Sequence, residues 1–114
     1  MNGLLYHYGR EKDQSIAKFN KPMEIFSAKG ACILFRKETL QKTGLFDKDF
    51  FAYFEETDLC WRAWLAGYKV SYVPQAVIYH KGGSTAHRLP EAISIYHSYK
   101  NRIRTFIKNF EAVN

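Results

Sequence analysis

The segment FFAYFEETDLCWRAWLAGY, residues 50–68, constrains the fold more than any other part of this 114-residue chain. Glu55, Glu56 and Asp58 stand in a run that is otherwise mostly aromatic or aliphatic. Residues 55–66 are good helix formers, and Gly67 falls where a C-cap glycine belongs. With Leu59, Cys60, Trp61, Ala63, Trp64 and Leu65 the helix is apolar on nearly every side, so it is expected to be largely buried. Burying an unpaired carboxylate is costly, so the three acids need partners, a metal or a chemical task. In one reading they favour the helix N-terminus, where negative charge meets the positive end of the dipole. In the other, one of them is a general base whose aromatic walls raise its pKa toward the working pH. Asp58 and Arg62 are four apart and can pair on the helix surface.

Around this helix the chain reads as α/β with few strands. Residues 1–29 form a loop-rich lead-in with a short strand near residues 25–26. The continuous apolar run at 31–35, after Lys29-Gly30, has the mark of a buried strand. A short helix follows over Lys37–Thr43, stopped by Gly44. Residues 69–73 alternate as a strand does, ended by Pro74, and residues 76–80 form a second short strand before Gly82-Gly83. Residues 84–89 are polar and expected in a loop. From Pro90 to about residue 112, Ala92, Tyr96, Tyr99, Ile103, Phe106 and Phe110 recur at helical spacing, the seam of an amphipathic helix. The bland reading packs that seam on the core and leaves Lys100, Arg102, Arg104 and Lys108 in solvent.

At this length the chain is one domain or part of one. Its hydrophobic content of 46% excludes a disordered chain. The net charge of +6 is unevenly placed: five acids lie between Asp47 and Asp58, and only Glu91 and Glu111 follow. A basic second half points to an anionic partner, whether a phosphorylated substrate, a membrane surface or nucleic acid. No nucleic-acid-binding motif is present, so that partner is disfavoured. Cys32 and Cys60 lie in apolar stretches without framework spacing and are expected to be buried thiols of a reducing compartment. No run approaches the roughly 20 apolar residues that cross a bilayer, and no secretory signal opens the chain, so a cytoplasmic location is expected.

Two further constellations are weaker. His80 ends a strand beside glycines, where an imidazole is either structural or a contact for a divalent metal or phosphate. Asp47-Lys48-Asp49 matches an acidic DxD pattern, but three residues with one wildcard recur by chance, and a turn explains them equally well.

Taken together, Gly30-Ala-Cys-Ile-Leu-Phe-Arg36, Thr43-Gly-Leu-Phe-Asp47, Phe50 to Arg62, Gly67-Tyr68, Val73-Pro74 and Tyr79-His80 resemble the second half of a family 2 glycosyltransferase, closest to bacterial rhamnosyltransferase-like members. The resemblance is strongest over residues 30–83, weaker to Lys100-Asn101-Arg102, and faint before Gly30. It implies the C-terminal part of a GT-A fold, with residues 30–83 as the acceptor and catalytic-base region. It also implies inverting transfer from a nucleotide-sugar donor to a glycan or lipid-linked acceptor, assisted by Mg or Mn. By the same resemblance Glu56 is the base, supported by Glu55 and Asp58, in a motif that is usually glutamate-aspartate. Gly30, Ala31, Asp47, Trp61 and Arg62 fall on the substrate side, and His80 contacts the metal or diphosphate. The family's nucleotide-binding half is not in these residues, so the chain is expected to be a fragment inactive alone, with a face open to homodimerisation. The competing expectation is a non-catalytic module that binds an anionic membrane surface, such as the inner face of the cell membrane, through the basic helix.

Overall fold

In a computed structural model, residues 7–13, 15–81 and 90–110 are described. The expected loop at 84–89 lies outside them. Among the described residues the chain is mixed α/β, with three α-helices and one two-stranded sheet. The order is β1 (Met23–Glu24), α1 (Lys37–Thr43), α2 (Glu55–Leu65), β2 (Ser71–Tyr72) and α3 (Glu91–Phe110), with 3-10 turns at Ala17–Asn20 and Lys48–Phe50.

The central element is α2. Its end is fixed by a paired-bond cap: Gly67, at φ 86°, donates to the Trp64 carbonyl, and Tyr68 donates to that of Ala63. Leu59, Cys60 and Ala63 are buried, as is Phe50 from the preceding turn. Full burial of a side chain such as Leu59 contributes about 1.5–3 kcal/mol. α1 ends on Gly44, whose positive φ of 78° accompanies an N–H bond to the Leu40 carbonyl. Lys42 donates to the Ala66 carbonyl at 3.1 Å, tying α1 to the far end of α2.

Residues 26–30 run along α2 in the opposite direction. Trp64 Nε1 donates to the Phe26 carbonyl, and the Ser27 hydroxyl to Thr57 Oγ1. The Cys60 thiol faces Ala28, and Gly30 reaches Glu56. β1 and β2 close a small antiparallel ribbon in which Met23 faces Tyr72 and Glu24 faces Ser71.

Several expectations are corrected. Residues 31–35 form no strand: Leu34 is 98% exposed, and Cys32 is exposed rather than buried. Residues 76–80 form none either, with Tyr79 wholly exposed. Of residues 69–73 only Ser71 and Tyr72 are strand, with the Val70 carbonyl accepting the Ile25 N–H at 2.9 Å, and the early strand falls at Met23–Glu24, next to the expected 25–26. A strand exists only where a neighbour completes its ladder, and the described residues give these apolar runs none.

The largest correction concerns α3, which packs by its polar side. Asn101, Thr105 and Asn109 are buried, while Tyr96, Tyr99, Ile103, Ile107 and Phe110 are exposed, Ile103 by 60%. The cause is the acid cluster opposite. Arg104 pairs with Asp49 at 2.8 Å, and Lys108 with Asp47 at 2.8 Å and Asp58 at 3.1 Å. The buried amides meet acceptors at the same interface. The basic face therefore turns inward and the apolar seam outward, although Phe106 keeps an edge contact with the Trp61 ring at 5.5 Å.

Candidate functional site

The first turn of α2 brings Glu55 and Glu56 to a recess of about 310 Å³ lined by Gly30, Phe46, Asp47, Lys48, Phe51, Glu55 and Glu56. One oxygen of each glutamate, Oε2, is buried without a hydrogen-bond partner among the described residues. Gly30 lies over Glu56: a Cβ there would stand 3.6 Å from Glu56 Cδ, at ordinary contact distance. Burial pushes the Glu55 carboxyl above its ordinary range, with the Glu56 charge adding to the rise and Lys29 and Glu55's own N–H opposing it. An acid raised in this way, as Glu55 is, can take and hold a proton.

The segment that delivers the pair is backbone-strained. Phe51, Tyr53 and Phe54 have φ of 60°, 68° and 69°, a left-handed region that non-glycine residues seldom enter. Phe54 is the residue before the helix, and its carbonyl accepts the Asp58 N–H at 2.9 Å. Asn101 of α3 holds the segment. Its Nδ2 lies 2.7 Å from the Phe50 carbonyl, 2.6 Å from that of Ala52 and 2.9 Å from that of Tyr53.

Asp58, two residues past Glu56, has a different fate. It is fully buried, so its bond to Arg62 is an interior one and not the surface pair that the spacing suggests. Oδ2 accepts from Arg62 Nη2 at 2.8 Å and from Lys108 Nζ at 3.1 Å, and Oδ1 accepts from Asn109 Nδ2 at 2.9 Å. Arg62 also donates to the carbonyls of Thr43 and Leu45, locking α2 to the end of α1. These two residues hold elements together, and neither lines the recess.

The remaining expected site residues divide similarly. Asp47 borders the recess, yet it caps the following turn through the Asp49 N–H and accepts from Lys108, which holds its carboxyl below the usual range. Together with the Arg104–Asp49 pair, this makes the DxD-like acids partners of α3. Trp61 packs edge-on between Phe26 and Phe106. Ala31 is exposed in the turn after Gly30. His80 is exposed at the end of an extended segment, away from any ligand cluster: among the described residues, no three His, Cys, Asp or Glu side chains come together to hold a metal. The described residues do not by themselves fit Mg or Mn.

Sequence reasoning missed Asn101, Thr105 and Asn109. Their signal is a polar residue every four positions along one face of an otherwise amphipathic helix. The helices are too short or too polar to cross a membrane among the described residues.

Two curated relatives are similar to the chain, both named N-acetylglucosaminyl-diphospho-decaprenol L-rhamnosyltransferase. They come from the CDC 1551 / Oshkosh and ATCC 25618 / H37Rv strains of Mycobacterium tuberculosis. Each is 36% identical over 69 residues, 60% of this chain and 22% of the relative. The chain thus spans about a fifth of the length of the relatives it matches. No solved structure gives a significant match. The family described as Glycosyl transferase family group 2 matches residues 8–108, nearly the whole chain, and its transferase character accords with the names of the relatives. The chain therefore belongs to glycosyl transferase family group 2.

Proposed function

We propose that this chain is the acceptor-side, base-carrying part of an inverting hexosyltransferase of GT-A architecture. In this reading the acceptor hydroxyl attacks the anomeric carbon of a nucleotide sugar from the face opposite the nucleoside diphosphate. Glu56 takes the hydroxyl proton as the new C–O bond forms, and the bond to the leaving diphosphate breaks with inversion. Glu55 stands beside Glu56 as support. The observation that carries the reading is that Glu55 and Glu56, which line the recess with Gly30, each keep a buried oxygen without a partner among the described residues. A buried acid without a partner is costly and is kept where it has a task. By its name the relative rhamnosylates a diphospho-decaprenol-linked N-acetylglucosamine. A lipid-linked glycan acceptor and a nucleotide-linked deoxyhexose donor are the corresponding expectations here, at the cytoplasmic face of a membrane.

The exposed apolar runs at 31–35 and 76–80 are suited to pair with a nucleotide-binding part of the enzyme. The divalent metal is expected with that part, and His80, which is exposed, is expected as a contact for the metal or the diphosphate. The 114 residues alone are expected not to turn over a nucleotide sugar, and detectable turnover would contradict this. In the intact enzyme Glu56→Gln should abolish transfer while nucleotide binding stays nearly unchanged. If transfer survives, Glu56 is not the base.

A second reading is favoured by α3, whose outward arc of Tyr96, Tyr99, Ile103, Ile107 and Phe110 is suited to lie on a lipid surface. Binding to vesicles containing anionic lipid should then fall in Ile103→Asp more than in Lys108→Gln, since Lys108 is held by Asp47 and Asp58. Loss of binding only in the lysine variant would restore a purely electrostatic contact, and a concentration-dependent dimer without vesicle binding would assign the arc to a second copy.

A further inference from the structure

We propose that Asn101 is a positioning residue for transfer, acting through residues 50–54 to set the aim of Glu56. This rests on the reading of Glu56 as the base. Three observations carry it. Asn101 is fully buried, and its amide nitrogen gathers three backbone carbonyls, those of Phe50, Ala52 and Tyr53, within 2.9 Å. Its two hydrogens are thus shared among three acceptors that converge on one point. Three of the four residues from Phe51 to Phe54 have positive φ, and such backbone persists only where its surroundings over-determine it. Glu55 and Glu56 follow Phe54 directly, so a relaxation there turns the first helical turn and carries the carboxylates off the recess.

Asn109 supplies the control. It is equally buried on the same face of α3 and donates to Asp58 and to the Thr105 carbonyl, not to the strained segment. A merely structural role gives the two asparagines the same signature: lower thermal stability and full activity per folded molecule. A positioning role separates them.

The test is steady-state kinetics of the intact enzyme carrying Asn101→Asp, which keeps the shape and removes both donors, beside Asn109→Asp, below their melting temperatures. For Asn101→Asp the expected result is a fall in kcat of about 100-fold, the scale of a misplacement of roughly 1 Å, with the KM for the nucleotide sugar within about twofold. Asn109→Asp is expected to keep kcat per folded molecule. Equal kcat values in the two asparagine variants would overturn the proposal, as would a fall confined to KM. Should Asn101→Asp fail to fold, Asn101→Ser carries the same comparison, and failure of both would make Asn101 a residue of the fold alone and overturn it. Transfer surviving in Glu56→Gln would sink the reading of the base instead, an outcome that the single Glu56 variant distinguishes.

Discussion

Asp58 and Glu56 lie on the first turn of one helix, two positions apart, and the fold treats them oppositely. Asp58 faces α3 and receives bonds from Arg62, Lys108 and Asn109. Glu56 faces Gly30 and, like Glu55, keeps a buried oxygen that no described group satisfies. The difference lies in the facing element, not in the residue type. α3 presents cations and amides, whereas the 26–30 segment presents backbone, a glycine and, toward Glu55, a single lysine charge. One acid holds the helices together, and its neighbours each keep a buried oxygen without a partner among the described residues.

The largest effect that would break this contrast is at Asp58. Asp58→Ala strips the buried carboxylate from Arg62 and one of the two carboxylates from Lys108, and should cost about 3–5 kcal/mol. A denaturant titration of the chain reads it, and a cost under about 1 kcal/mol would mean that the clasp is dispensable. Lys108→Met should cost less, about 1–3 kcal/mol, because Arg62 and Asn109 still satisfy Asp58 while Asp47 loses its bond.

The two regions should also differ in their response to pH. The Lys108 bond, first among the causes, lowers the Asp47 pKa in the fold. Its contribution to stability is present above the ordinary value of 3.8 and is lost as pH falls through the lower folded value. Glu55 runs the other way, since burial raises its pKa: its contribution is present below the ordinary value of 4.5 and is lost as pH rises through the folded value. Melting temperatures followed from acid to neutral pH should show Lys108→Met losing part of the acid-side slope. Glu55→Gln should flatten the decline above 4.5, and no change in either slope would contradict the assignment.

The smallest effect belongs to Gly30→Ala. Its φ is not left-handed and its Cβ meets Glu56 only at ordinary contact distance, so stability should move by no more than about 0.5 kcal/mol. A larger loss, read by the same titration, would mean that the recess is packed rather than open.

These contrasts were partly legible in the chain. Helix formers ended by Gly44 and Gly67 mark α1 and α2, because a glycine at positive φ is a local requirement that sequence states directly. The apolar cluster around Leu59 follows from the apolar faces of the helix, whereas the contact of Gly30 with Glu56, 26 positions apart, is not stated by either segment alone. The runs at 31–35 and 76–80 read as strands because apolar content signals burial, but pairing depends on a neighbour that local sequence does not supply. The face of α3 was hidden for another reason. Counting apolar positions favours the Tyr96–Phe110 seam, whereas the buried side is decided by Asn101 and Asn109 finding acceptors on Phe50, Ala52, Tyr53 and Asp58. Asp58 was misplaced to the surface for the same cause, since its partners Lys108 and Asn109 lie about 50 residues away.

The most direct test of this division of labour is the thermal melt of Glu56→Gln beside Asp58→Asn in the same chain. Asp58→Asn should melt roughly 10 °C or more below the parent, from a loss of a few kcal/mol. Glu56→Gln should melt at the parent temperature or above it, because it removes the charge from a carboxylate whose buried Oε2 has no partner among the described residues. Equal destabilisation by the two substitutions would contradict the account, since Glu56 would then be held by the fold and not reserved for the reaction.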